Sequence, residues 1–86
     1  MSVKYKADSI TVTTEATLID PGFDVTSISL ISNDGAVLLR VFSLSDWGDW
    51  ITIPKDVSFD DSFTCSKFEI IAASGSVVVN YLSKGE

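Results

Sequence analysis

Hydrophobic and polar residues alternate along most of the chain. In 9–13 (SITVT), Ile10 and Val12 face one way and the threonines face the other, which is the pattern of a half-buried strand. Similar short segments recur, separated by turns rich in Gly, Pro, Asn and Asp. A turn signal about every eight to twelve residues predicts an all-β fold. We expect a single small antiparallel β-sandwich, or a barrel-like variant, of seven to eight short strands.

The same pattern divides the chain into three parts. Residues 1–8 are mostly polar and predict an N-terminal arm or an edge strand. Residues 9–82 predict the β-sandwich domain, and the charged residues 83–86 predict a frayed tail. Within the domain, the turns at 33–35 (NDG) and 74–75 (SG) each predict a tight hairpin between the strands that flank them.

The apolar residues of the predicted strands fall into two sets. Alternation assigns the core to Ile28, Leu30, Leu39, Val41, Ile70, Val77, Val79 and Tyr81. A second set lies on the opposite faces, namely Ile31, Leu38, Phe42, Ile71 and Val78. An apolar surplus of this extent favours self-association, because large exposed apolar patches usually mark an interface. The alternative is that two thick sheets cover both faces of the central strand.

Composition and charge exclude several classes of function. The chain has no His and one Cys, which excludes a Ser-His-Asp triad, a His-ligated metal, an intramolecular disulfide and a Cys-rich zinc site. The net charge is −6 and the basic residues are scattered, so we expect no nucleic-acid partner. No apolar run is long enough to cross a membrane, and 1–8 lacks the apolar segment of a secretion signal, so we expect a chain made in the cytoplasm with no membrane partner.

Two acidic segments, 46–49 and 56–61, are the candidates for metal or acid–base chemistry. Neither has the ligand spacing of an EF-hand, and Asp in turns usually caps the local backbone. A domain of this size offers no deep cleft that would raise the pKa of a carboxyl group for glycoside hydrolysis. We therefore predict no enzymatic activity, no metal and no cofactor. Cys65, which lacks a His partner, is predicted to be a buried, inert thiol.

The segment 46–50 (DWGDW) is the most unusual in the chain. Its two indoles predict a subunit contact or a cap on the sandwich; the alternative is a platform on which a sugar stacks. Trp47 is predicted to be the more exposed contact residue and Trp50 the packing residue. Arg40, on an apolar strand, is expected to pair either with Glu69 or with a neighbouring subunit. The predicted partner-contacting residues are Trp47, Trp50, Arg40, Leu38, Phe42 and Ile31.

Three segments occur in a characteristic order: SISLISNDGAVLLRVF, WITIPKDVSFDDSF and KFEIIAASGSVVVNYL. Over 9–82 this order resembles small β-sandwich virion structural proteins of tailed bacteriophages, which decorate or cement capsids or form tails. The resemblance implies a virion protein on the capsid surface that binds the major capsid protein as a homo-oligomer, with a trimer favoured. The alternative, carried by Trp47 and Trp50, is a tail-associated carbohydrate- or receptor-binding module.

Overall fold

The computed structural model describes residues 3–86, except the side chain of Phe63, and within them it contains nine strands and no helix that could cross a membrane. The strands are β1 (Lys4–Val12), β2 (Thr17–Ile19), β3 (Val25–Ser32), β4 (Val37–Ser43), β5 (Asp46–Trp47), β6 (Ile51–Ile53), β7 (Phe59–Cys65), β8 (Lys67–Ala72) and β9 (Val77–Gly85). They form two antiparallel sheets around one core, which confirms the predicted all-β sandwich.

The chain crosses from one sheet to the other at most of its connections. One sheet has four strands in the order β1-β9-β3-β7; the other has five, in the order β2-β8-β4-β5, with β6 also paired to β4. The turn at 33–35 therefore joins β3 in the four-stranded sheet to β4 in the five-stranded sheet, and the turn at 74–75 joins β8 to β9 in the same way. Both predicted hairpins are wrong. Turn residues determine where the chain reverses, but they do not determine which strand the strand after the turn pairs with.

Side-chain contacts hold these crossing turns in place. Asn33 Nδ2 donates a hydrogen bond of 2.8 Å to Asp56 Oδ1, which ties the β3–β4 turn to the turn before β7. Asp34 Oδ2 accepts one of 3.3 Å from the backbone N–H of Val78 at the start of β9. Gly75 has a φ of 62°, in the left-handed region that glycine adopts at little cost. The two turns that were expected to close hairpins thus link the two layers.

The inner faces of the two sheets form the core. Its buried apolar residues are Val12, Ile19, Val25, Ile28, Leu30, Val37, Leu39, Ile53, Cys65, Phe68, Ile70, Ala72, Val77, Val79 and Tyr81. Every predicted core residue is among them except Val41, which is half-buried and packs against the rest. Phe68 and Tyr81 meet edge to face across the layers, with ring centroids 5.8 Å apart. Full burial of each large aliphatic or aromatic side chain contributes about 1.5–3 kcal/mol.

The C-terminal residues are part of the sheet. The prediction of a frayed tail at 83–86 is wrong, because β9 runs to Gly85 and both Ser83 and Gly85 are buried. Gly85 packs so closely on the backbone of Asp24 that a Cβ atom there would collide with the Asp24 carbonyl oxygen. Glu86 N–H donates a 3.1 Å hydrogen bond to the same carbonyl. Backbone packing orders this end even though its side chains are polar.

The N-terminal residues also belong to the four-stranded sheet. Of the two alternatives for 1–8, an arm or an edge strand, the structure shows an edge strand that begins at Lys4; residues 1 and 2 lie outside the described part. β1 pairs with β9 from Lys4, opposite Gly85, to Val12, opposite Val77. Its other edge has no strand beside it among the described residues. The paired strands thus extend beyond the predicted boundaries of the sandwich at both ends.

Candidate interaction surface

Aromatic and charged side chains gather on the outer face of the five-stranded sheet. On β4, Val37 and Leu39 are buried, so Leu38, Arg40 and Phe42 face outward. We call the group around Arg40 the Arg40 cluster; it consists of Arg40, Phe42, Trp47, Trp50, Lys67 and Glu69. Strand register brings these residues together from β4, β5, β8 and the segment before β6.

Arg40 forms an ion pair with Glu69, which lies directly opposite it on β8. Its Nε donates to Glu69 Oε1 at 2.8 Å, and its Nη2 lies 2.6 Å from the same oxygen. The side chains are 29% and 14% exposed, so the pair is partly shielded from water. Shielding strengthens the attraction but makes loss of either partner costly. Of the two partners considered for Arg40, the structure shows Glu69.

Both indoles contact the guanidinium group of Arg40. Its Cζ lies 4.7 Å from the ring centroid of Trp47 and 4.5 Å from that of Trp50. Ile51 pairs with Leu39, so Trp50, one residue earlier, falls beside Arg40. Cation–π contacts of this kind contribute about 0.5–2 kcal/mol. Arg40 therefore occupies one face of each indole, and that face is not free to stack against a sugar.

Phe42 extends the cluster towards one end of the sheet. Its ring meets that of Trp47 edge to face, at a centroid distance of 5.2 Å, and Lys67 Nζ lies 4.6 Å from its centroid. Trp47 and Trp50 are both half-buried on this outer face. Both indoles therefore lie off the main core, and Trp50 is half-buried just as Trp47 is, so the structure does not single out Trp50 as the packing residue. A contact with a partner stays a prediction for both residues.

Aliphatic side chains surround the Arg40 cluster. Leu38 and Ile71 are half-buried on the same face, and Leu18 of β2, opposite Glu69, is 53% exposed. Ile31 is elsewhere: it lines a surface depression of the four-stranded sheet with Asn80 and Leu82. The residues predicted to contact a partner thus divide between two surfaces, because β3 and β4 belong to different sheets.

The tip of the β4–β5 hairpin is a feature that the sequence did not indicate. Ser43 pairs with Asp46, which leaves Leu44 and Ser45 as a two-residue turn with φ angles of 54° and 66°. Asn and Gly are the usual residues in such a turn, since a leucine in this conformation is strained. Leu44 is also 98% exposed. An exposed, strained leucine is a candidate contact, and the sequence carried no signal for it because no Gly or Asn marks the turn.

The described residues include no cluster suited to metal binding, and their thiol is unreactive. Among residues 3–86, no three His, Cys, Asp or Glu side chains lie together as a potential metal site. Cys65 is buried, as predicted, and burial raises the pKa of its thiol to about 11, although a hydrogen bond from the backbone of Lys67 acts in the opposite direction. The thiol is therefore protonated at neutral pH and a poor nucleophile. Burial, with a smaller effect from Asp8, also raises the pKa of Tyr81.

Comparison with known proteins identifies the fold. No protein-family model matches the chain, and no curated protein matches it. Among solved structures, the fold is similar to that of a chain from the work "Bacillus endospore appendages form a novel family of disulfide-linked pili". The TM-score is 0.70, with 15% sequence identity over 96% of this chain and 85% of that one. At this identity the likeness shows a shared fold.

This finding corrects the function that the sequence predicted. The capsid-decoration role, its major capsid protein partner and the alternative of a phage tail module are wrong, because the similar solved structure is a component of a bacterial endospore pilus. The segments on which the resemblance rested are alternating strands and glycine-containing turns. Many β-sandwiches need these elements, so the segments carried information about fold and none about function.

Proposed function

We propose that this chain is a structural, non-enzymatic subunit that assembles with further copies of itself into a pilus-like fibre. The observation that carries the proposal is the likeness in fold to a chain of the endospore appendages over 96% of the sequence. Two features of the chain itself support it. Among residues 3–86, no strand pairs with the outer edge of β1 or of β7, and the outer face of the five-stranded sheet carries partly exposed aromatic side chains.

The strand order of the four-stranded sheet favours a filament over a closed assembly. Its two edges are different strands, β1 and β7, so a contact between them joins unlike surfaces. Contacts between unlike surfaces continue into a filament unless the rotation between subunits closes a ring. The trimer that the sequence favoured is one such ring and is the alternative to a fibre.

The subunits of this assembly associate without covalent links. The similar pili are described as disulfide-linked. In this chain the one cysteine, Cys65, is buried and its pKa is raised to about 11, so it offers no accessible thiolate to a neighbour. Exposed strand edges and apolar side chains supply the contacts instead.

The residues first predicted as partner contacts keep a place in this proposal. Trp47 and Trp50 are half-buried, so part of each ring is open to a second copy. Together with Leu38 and Leu18 they form a mainly apolar surface beside the Arg40–Glu69 pair. Aromatic residues and Arg are common anchors where proteins associate.

Sedimentation velocity and negative-stain electron microscopy of the purified chain test the proposal. We expect the weight-average mass to rise with concentration and elongated particles to form, both in the presence and in the absence of a reducing agent. A chain that sediments as a monomer at every concentration would overturn the proposal. Particles that dissolve on reduction would contradict the non-covalent link.

A further inference from the structure

The two edges of the four-stranded sheet carry opposite charges. β1 presents Lys4, Lys6 and Asp8, a net charge of +1, and β7 presents Asp60 and Asp61, a net charge of −2; all five residues are exposed. Within residues 3–86, none of the five forms an ion pair. The two carboxylates of β7 accept hydrogen bonds from close neighbours: Asp60 from Ser29 Oγ on the adjacent strand β3 at 3.0 Å, and Asp61 from the N–H of Ser62 at 2.8 Å. The two edge strands of one sheet thus carry complementary net charges.

Strand direction allows these edges to meet in repeated copies. Each adjacent pair in the order β1-β9-β3-β7 is antiparallel, so β1 and β7 run in opposite directions. A second copy in the same orientation therefore brings its β1 antiparallel to β7 of the first. Hydrogen-bonded and non-hydrogen-bonded pairs alternate across an antiparallel sheet. Because the sheet has four strands, the same alternation also continues where β7 of one copy lies beside β1 of the next.

The register of the sheet identifies which side chains would meet. Lys6 pairs with Ser83, Ser83 with Ile28, and Ile28 with Asp61. Lys6 and Asp61 are therefore the two ends of one row and point to the same face of the sheet. A copy added without a shift along the strands places its Lys6 directly opposite Asp61 of its neighbour. Opposite charges in directly opposed positions stabilise a strand pair, and like charges destabilise it.

We propose that copies of this chain join through β1 of one copy and β7 of the next, antiparallel, in the register that sets Lys6 opposite Asp61. This inference rests on the proposed self-assembly and names its contact. Both charges point towards the core side but lie beyond the part that the five-stranded sheet covers, since both residues are exposed. Inward-pointing charges discourage edge strands from pairing with arbitrary partners. Here they admit the complementary edge of a second copy.

Charge reversal tests this contact. Lys6→Asp sets two carboxylates against each other at every junction, and Asp61→Lys sets two ammonium groups against each other. We expect either variant alone to lower the association constant roughly tenfold in sedimentation velocity at low salt. The double variant K6D/D61K restores one opposite pair per junction and should assemble like the original chain.

A mixture of the two single variants gives a sharper result. In an equimolar mixture, each junction between unlike copies contains one acidic and one basic residue, so the association constant should return to that of the original chain although each variant alone associates weakly. Recovery on mixing also shows that both variants are folded. Lys55→Asp and Glu15→Lys change the net charge by the same amounts at exposed positions outside both edge strands, and they should assemble normally.

Two outcomes would overturn the contact. If the original chain assembles but K6D and D61K assemble equally well, or if mixing fails to restore assembly, the β1–β7 junction is wrong while the self-assembling subunit stands. If the original chain is monomeric at every concentration, both proposals fail.

Discussion

The charged residues of the Arg40 cluster and those at the edges of the four-stranded sheet differ in where their partners are. Arg40 bonds Glu69 at 2.8 Å and lies over two indole rings, so its charge is satisfied within the chain. Lys6 and Asp61 are exposed, and neither pairs with an opposite charge among residues 3–86. A partly buried pair contributes to folding, whereas exposed charges contribute little to it and remain available to a neighbour. The charges of the Arg40 cluster thus serve the fold, whereas the charges at the sheet edges are suited to assembly.

Removal of Arg40 should have the largest effect on stability. Arg40→Ala leaves Glu69, only 14% exposed, without its partner and removes a contact from both indoles. We expect the free energy of unfolding to fall by about 2–3 kcal/mol in urea titrations below the concentration of assembly. The matched edge variant Lys6→Ala should change it by less than about 0.5 kcal/mol. Equal losses of unfolding free energy in the two variants would show that the edge charges matter as much to the fold as Arg40 does.

Alkaline pH should weaken the edge of the four-stranded sheet at Cys65, the last residue of β7. Its pKa is about 11 in the folded chain against 9.0 for an ordinary thiol. Between these values the unfolded chain loses the thiol proton first, so the free energy of unfolding falls as pH rises from 9 to 11. The loss is at most roughly 2–3 kcal/mol, and below pH 9 the thiol has no effect. Urea titrations across this range measure the slope. Cys65→Ala should flatten it and leave the smaller slope due to Tyr81; an unchanged slope would exclude the thiol as its cause.

The two tryptophans should differ in a measurable way. Trp47→Ala removes contacts with Arg40 and Phe42, whereas Trp50→Ala removes the contact with Arg40. We expect stability losses of about 2 and 1 kcal/mol respectively in thermal or urea melts. The sequence predicted the opposite order, with Trp50 as the packing residue. Sedimentation of the same variants checks the partner contact: normal assembly by both would remove the indoles from the interface.

The β4–β5 turn should give the smallest effect, with the opposite sign. Leu44→Asn combined with Ser45→Gly supplies residues that adopt positive φ readily, so the chain should become more stable by about 1 kcal/mol. If Leu44 contacts a neighbouring copy, assembly weakens while the fold gains stability. A loss of stability in thermal melts would show that the present turn is not strained.

Sequence reasoning located the strands and their inner faces but not their pairing. Alternation placed Ile28 and Leu30 in the core because burial repeats every second residue, and it put Leu38 and Arg40 on the opposite face of their strand. The turn at 33–35 could not reveal that its two strands lie in different sheets. Pairing depends on how the whole set of strands packs, which local turn chemistry does not encode.

The Arg40–Glu69 pair and the proposed Lys6–Asp61 contact differ in whether the sequence alone could suggest them. Glu69 could be named as one possible partner of Arg40, since both residues interrupt apolar strands at outward positions. The relation between Lys6 and Asp61 becomes visible only through a row of four strands, 55 positions apart in the chain. The function was missed for another reason: generic strand and turn segments are shared by β-sandwiches that do unrelated work.

Because the two edges of the four-stranded sheet are different strands, a fibre built through the β1–β7 contact would have a direction. When every copy has the same orientation, one tip of the fibre ends in an unpaired β1 with its lysines and the other in an unpaired β7 with its aspartates. Growth at the two tips is then two different reactions, each with its own rate. An extended acidic peptide that pairs with β1 would stop elongation at the basic tip and leave the acidic tip growing.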